Sequence, residues 1–182
     1  MRSGRNIVLR LFASKRIRYS VAVITFLFLL FMIVVIRNFI LLSPDKLYRE
    51  AYIPFAVSTM NGNYQRTSDS LEINYEQGAY TKIIQLTKQR RPFVDKEHFL
   101  IGLSYLQLHD YSKAIVHLRE VCNHSNRFSD DGQFYLSLSY LMNQDYDDAI
   151  QLMQNIYDSK TSSYQNRFSE NYIHKVKLLK WK

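Results

Sequence analysis

The feature that most constrains this chain is an internal repetition. The segment HFLIGLSYLQLHDYSKAIVHLREV, which starts at His98, and QFYLSLSYLMNQDYDDAIQLMQNI, which starts at Gln133, match landmark for landmark at an offset of 35 residues. Gly102 answers to Ser137, Tyr105 to Tyr140, Asp110 to Asp145, Tyr111 to Tyr146 and Ala114 to Ala149. That period suits a pair of helices joined by a tight turn. Ile101, Tyr105 and Leu108 fall three or four residues apart and share one face of a first helix, as Leu136 and Tyr140 do in the next copy. Tyr111, Ala114, Ile115 and Leu118, then Tyr146, Ala149, Ile150 and Met153, make the corresponding face of the second helix. Gly102 and Ser137 are small where a neighbouring helix must come close. Ala114 and Ala149 stand where the two helices of a pair cross, so a larger side chain there would push them apart.

A small residue after an aliphatic one, a tyrosine three later, an aspartate and an aromatic at the turn, then an alanine followed four residues on by a large apolar residue: this pattern resembles the tetratricopeptide-repeat family, over residues 96–123 and 131–158. The segment SLEINYEQGAYTKIIQLTK from Ser70 reads as a degraded first copy with Gly78 and Tyr80 at its turn, but with Asn74 in place of the tyrosine and Ile83 in place of the alanine. Residues 163–180 read as one further helix carrying Phe168, Tyr172, Val176 and Leu179 on one face, a cap on the open end of the array. The expectation is an all-α chain with one transmembrane helix near the N-terminus, then an α-solenoid of about three helix-turn-helix repeats and a C-terminal capping helix. Three pairs and a cap meet the usual minimum for a stable stack.

The membrane expectation comes from the run YSVAVITFLFLLFMIVVIRNFILL, which has no charge from Val21 to Ile36. As a helix, residues 19–42 would reach about 36 Å, against about 30 Å of bilayer hydrocarbon. The branched and aromatic residues of its uncharged core contribute roughly 4 to 8 kcal/mol towards insertion, and Arg37 near its end can snorkel to the headgroups. A cleaved signal peptide would have a shorter apolar core and a small-x-small site after it, whereas Arg37, Asn38, Phe39 and Ile40 follow here. The chain then divides into a basic cytoplasmic tail (1–18), a signal anchor (19–42) in contact with membrane lipid, a linker with a short helix (43–66) and the repeat domain (67–182). Ser43-Pro44 can open that short helix and Pro54 should end or kink it; Asn61-Gly62-Asn63 reads as loop.

Charge places the chain in the membrane and weighs against nucleic acid. The formal net charge is +8, but residues 1–20 hold six basic residues and no acid, and from residue 43 onward 17 basic face 16 acidic residues. A nucleic-acid-binding domain needs its basic excess on the folded part. By the positive-inside rule the expectation is an N-terminus in the cytoplasm and repeats outside, which is the periplasm if the membrane is a bacterial inner membrane.

No pattern of chemistry emerges. Cys122 is the one cysteine and has only His124 close by, with no H-E-x-x-H or related metal spacing. Asp145, Asp147 and Asp148 lack the alternating acids and glycine of a calcium loop and read as helix-start residues. The 14 tyrosines fall mostly on repeat landmarks and read as helix packing. The expectation is no enzyme, no metal, no cofactor and no small-molecule substrate. In the family resembled, partners lie along the face lined by the first helix of each pair, which implies Phe99, Leu103 and Leu106 in one repeat and Phe134, Leu138, Leu141 and Met142 in the next. That lining implies an apolar or amphipathic protein segment as partner. The function expected is a membrane-anchored scaffold or assembly factor; the alternative is a signalling component similar to the extracytoplasmic repeat regions of anti-sigma-like membrane proteins.

Overall fold

The structure is a computed structural model that describes residues 15–57, 70–88, 93–125 and 127–182. The basic tail up to residue 14, the Asn61-Gly62-Asn63 loop and the end of the linker lie outside the described residues. The chain forms two compact units, Met1–Leu42 and Ser43–Lys182, and the described residues are helical with no strand.

In the first unit, α1 spans Lys15–Ile40. It contains neither glycine nor proline, and Thr25 satisfies its hydroxyl on the Val21 and Ala22 carbonyls at 3.0 and 2.9 Å. The stretch Tyr19–Ile40, with a mean hydropathy of 2.8 and no buried share, is long and apolar enough to cross a membrane.

The second unit opens with α2 (Pro44–Ala51). Its Ser43 cap accepts a hydrogen bond from the Lys46 N–H, with proline at the first helical position. The helix stops before Pro54, whose ring excludes helical backbone for Ile53. There follow α3 (Ser70–Glu76) and α4 (Tyr80–Thr87), α5 (Asp95–Gln107) and α6 (Tyr111–His124), α7 (Ser129–Met142) and α8 (Tyr146–Asp158), then α9 (Glu170–Leu179). Each helix from α3 to α9 packs chiefly on its neighbours in sequence.

One turn is used three times. Gly78, His109 and Gln144 take φ values of +69°, +60° and +66°. The next N–H, of Ala79, Asp110 or Asp145, donates to the carbonyl five residues back, on Asn74, Tyr105 or Tyr140, at 2.8, 2.9 and 2.9 Å. The left-handed residue's own N–H bonds Tyr75, Leu106 or Leu141. This is the Schellman closure of a helix end. It needs a left-handed residue but no particular side chain elsewhere, so the degraded first copy turns as the others do despite Asn74.

The close-approach positions explain the rest of the register. A Cβ on Gly102 would stand 2.8 Å from Leu118 Cγ and 3.3 Å from the Leu118 backbone nitrogen. Ser137, Ala114 and Ala149 are fully buried at the equivalent crossings. At the C-terminal end the chain departs from the single helix expected over 163–180. Gln165–Arg167 forms a short 3-10 turn, and α9 begins only at Glu170 because extended Ser169 caps it by accepting from the Tyr172 N–H. Upstream, Asp130 holds the loop by accepting from the Ser162 hydroxyl (2.6 Å) and the Ser163 N–H (2.8 Å). The apolar face of Phe168, Tyr172, Val176 and Leu179 is nevertheless all buried.

Two substitutions test this account by urea denaturation of the unit 43–182. Gly102→Ala gains helix propensity yet should cost about 1 to 3 kcal/mol through the clash with α6. Gln144→Gly should leave stability unchanged or raise it by up to about 1 kcal/mol, because a left-handed backbone strains any side chain but glycine's. A stabilised Gly102→Ala variant would refute the close approach.

Candidate functional site

The residues expected to line an open groove are not open. Phe99, Leu103, Leu106, Phe134, Leu138 and Leu141 are each at most 1% exposed, and only Met142 keeps partial access. Phe134 stacks on Tyr164 with ring centroids 4.1 Å apart and tilts against Phe168 at 5.7 Å. Phe99 meets Phe55 edge-on at 4.9 Å and stacks on Phe128 at 5.2 Å. The covering groups therefore include the chain that follows α8 and, on the other side, the chain that follows the apolar helix.

Residues 43–57 form this second cover. Helix α2 packs on α7 and α9, with Leu47 and Ala51 buried. The Tyr172 hydroxyl donates to the Leu47 carbonyl at 2.7 Å, and Lys175 pairs with Glu50 at 3.2 Å. Past Tyr52 the chain is extended and reaches α5: the Gln107 amide bonds the Tyr52 hydroxyl and Phe55 meets Phe99. The linker is thus a strap along the faces of α7 and α5.

Tyr135 organises the crossing and escaped the sequence reading. It is 1% exposed, and its hydroxyl donates to the Ile53 carbonyl at 2.9 Å. Its ring lies within 6.5 Å of those of Tyr52, Phe55, Phe99, Phe134 and Tyr164. The one signal was its place: a tyrosine inside the apolar first helix, where the preceding copy has Leu100, must find a hydrogen-bond partner in the core.

The strap leaves a concavity on either side of Phe55. One, of about 480 Å³, has Tyr52, Tyr75, Tyr80 and Gln107 in its walls and Glu76 at hand. The other, of about 460 Å³, is bounded by Phe55, Phe128, Tyr135, Tyr164, Asp131 and Arg127. In the second, the Tyr164 hydroxyl donates to Asp131 Oδ1 at 2.6 Å. Burial pushes the Asp131 carboxyl above the usual carboxylate range, with the Tyr164 hydrogen bond opposing and neighbouring Asp130 reinforcing the rise. Arg127 is exposed, with its guanidinium 5.3 Å from the Phe128 ring centroid.

The remaining singled-out residues are structural in their surroundings. Tyr140 is buried and accepts from Arg119 at 2.8 Å, while Tyr105 stacks on His117; Tyr111 and Tyr146 are half-buried at their helix starts. Cys122 is half-buried, and burial pushes its thiol up to about 11, far from a reactive thiolate. His124 pairs with Glu120 at 3.4 Å. Asp145 does not cap its helix with its side chain; that carboxylate accepts instead from the Asn143 amide at 2.7 Å, which draws it off the helix axis. Asp147 takes Lys180. Among the described residues no group of three metal-ligating side chains converges. Between α5 and α6, His98 and His117 face each other with Nδ1 atoms 3.2 Å apart, and burial holds His98 below the ordinary imidazole range.

Comparison of the chain with family models, curated proteins and solved structures returns no match.

Two measurements follow from this geometry. Tyr135→Phe should cost about 1 kcal/mol in the unit 43–182, the worth of one buried hydrogen bond plus an orphaned carbonyl; an unchanged urea midpoint would remove the strap's anchor. Because folded His98 binds protons more weakly than the unfolded chain, its contribution is present above the ordinary imidazole pKa of about 6.5 and is lost as pH falls below it. The midpoint should therefore drop between about pH 7 and pH 5 less steeply in His98→Asn than in the parent protein.

Proposed function

We propose that this chain is a membrane-anchored, non-catalytic protein-interaction module of the tetratricopeptide type, a scaffold or assembly factor held by its apolar helix. The observation that carries the reading is the threefold use of one helix-closing turn in successively packed helix pairs, following a helix long and apolar enough to span a bilayer. Stacked helix pairs of this kind present an extended surface to other polypeptides. Orientation follows the charge rule: the six basic residues before the span keep the N-terminus in the cytoplasm and put the helical pairs outside. The partner segment is apolar or amphipathic and docks beside the strap, where aromatic walls remain open to solvent.

A second reading, signalling across the membrane, draws on one specific observation. The strap that lines both concavities continues through α2 to Ser43, next in the chain to the membrane unit. A partner that touches Phe55 therefore touches a segment joined by one short helix to the anchor.

In-cell photocrosslinking from Ala56, an exposed strap residue, in full-length protein at native expression tests the scaffold reading. One envelope protein captured reproducibly and lost when the probe is moved to exposed Val116 supports it. Capture of nothing but the chain itself sinks it. A C-terminal tag that resists protease added to intact spheroplasts would overturn the orientation.

A further inference from the structure

We infer that the concavity between Phe55 and Tyr164 is a binding site for a cationic side chain, an arginine or lysine presented by a partner polypeptide. The inference rests on the scaffold reading and gives that partner a chemistry.

Three observations meet there. The cavity, about 460 Å³, far exceeds one extended basic side chain and leaves room for the backbone that carries it. Its walls are aromatic on several sides: half-buried Phe55 from the strap and Tyr164 from the loop after α8, backed by buried Phe128 at the N-cap of α7 and Tyr135 in its second turn. Faces of such rings attract a cation, and the attraction grows as water is excluded. Arg127 already stands over one of them. Asp131 supplies the counter-charge: it is half-buried, its Oδ1 is held by the Tyr164 hydroxyl, and among the described residues Asp130 is the one other ion that shifts it, exposed Arg127 lying over the Phe128 ring instead. A carboxylate kept in a partly dry aromatic recess is destabilised there, and a guanidinium or ammonium that pairs with it directly restores what burial removed.

The position also explains why the strap is built as it is. Pro54 and Ala56 leave small, exposed backbone beside the cavity, while Phe55 between them turns in to form its wall. A ligand that stacks there contacts the strap and α7 at once, so its occupancy should tighten the strap against Tyr135.

The test uses the full chain in nanodiscs of phosphatidylcholine, whose zwitterionic surface does not itself collect basic peptides. The probes are two fluorescein-labelled pentapeptides, Ser-Gly-Arg-Gly-Ser and the same peptide with neutral citrulline for arginine, followed by fluorescence anisotropy. Saturable binding of the arginine peptide, at least about tenfold tighter than the citrulline peptide and weakened at least about tenfold by Asp131→Asn, is expected; tenfold corresponds to about 1.4 kcal/mol. The asparagine keeps an acceptor for Tyr164 and removes a costly charge, so its urea midpoint should not fall, which separates a lost site from a lost fold. Glu76→Gln, on the far side of Phe55, should leave the arginine peptide's affinity within twofold. Equal binding of the two peptides, insensitivity to Asp131→Asn, or no saturable binding would each overturn the assignment. If the peptides fail while crosslinking from Ala56 still captures one protein, this site falls and the scaffold reading stands; if both fail, neither survives.

Discussion

The first helices of the stacked pairs are apolar on two sides, and a stack of pairs covers only one of them. Phe99, Leu103, Phe134 and Leu138 cannot be left to water at about 1.5 to 3 kcal/mol each. The chain meets this constraint with its own residues 43–57, seated through Leu47, Ala51 and Phe55, and over Phe134 with Tyr164 and Phe168. Much else answers to that covering: the buried Tyr135 with its hydroxyl on the strap, the tyrosine of α9 bonded to α2, and the two concavities that remain because an extended segment is narrower than the channel it fills.

Features set by neighbours in sequence were legible from the residues. The 35-residue register, the helix limits near the turns, the small residues at crossings and the cap by Ser43 all follow from interactions within a few positions. What escaped depends on distant parts of the chain. Residues 43–57 carry two prolines and none of the repeat landmarks, so they read as a linker; only the folded unit shows that Leu47 meets a helix 125 residues later in sequence. The same blindness affected the groove: the lining positions followed from the family resemblance, but their cover by residues 43–57 did not. Ser169 looked like one more polar residue on a helix, and its role as a start signal depends on a loop that Asp130 holds. Asp145 was assigned to capping by its place, and Asn143 took its carboxylate instead.

Polar groups inside the unit are treated economically. Ser104, Ser137 and Ser139 are fully buried, and each hydroxyl donates to a carbonyl one turn back in its own helix. Buried Glu72 of α3 is matched by Lys96 of α5, an ion pair that ties the first helical pair to the second where the apolar landmarks are weakest. Such a pair adds little net stability over an apolar contact but penalises any arrangement that separates its members. Asp131 differs from these: among the described residues a hydroxyl, that of Tyr164, and not a cation opposes the effect of its burial.

The bond between Tyr172 and Leu47 and the pair between Lys175 and Glu50 join the last helix of the unit to its first, both across 125 residues of sequence. They run in register, 172 to 47 and 175 to 50, so α9 and α2 lie alongside each other in the same direction. A linear stack of repeats gains stability from nearest neighbours and can fray from either end. Here α2 lies against α7 and α9 and so ties the C-terminal end of the stack, while α3 and α4 pack chiefly on each other and on α5. Fraying of α9 must then break its contacts with α2, so opening at the C-terminal end of the stack is coupled to release of a segment from the start of the unit. Such closure also raises the mean sequence separation of native contacts, which slows folding relative to an open stack of the same helices. Helix α9 thereby holds in place the segment that follows the apolar helix in the sequence.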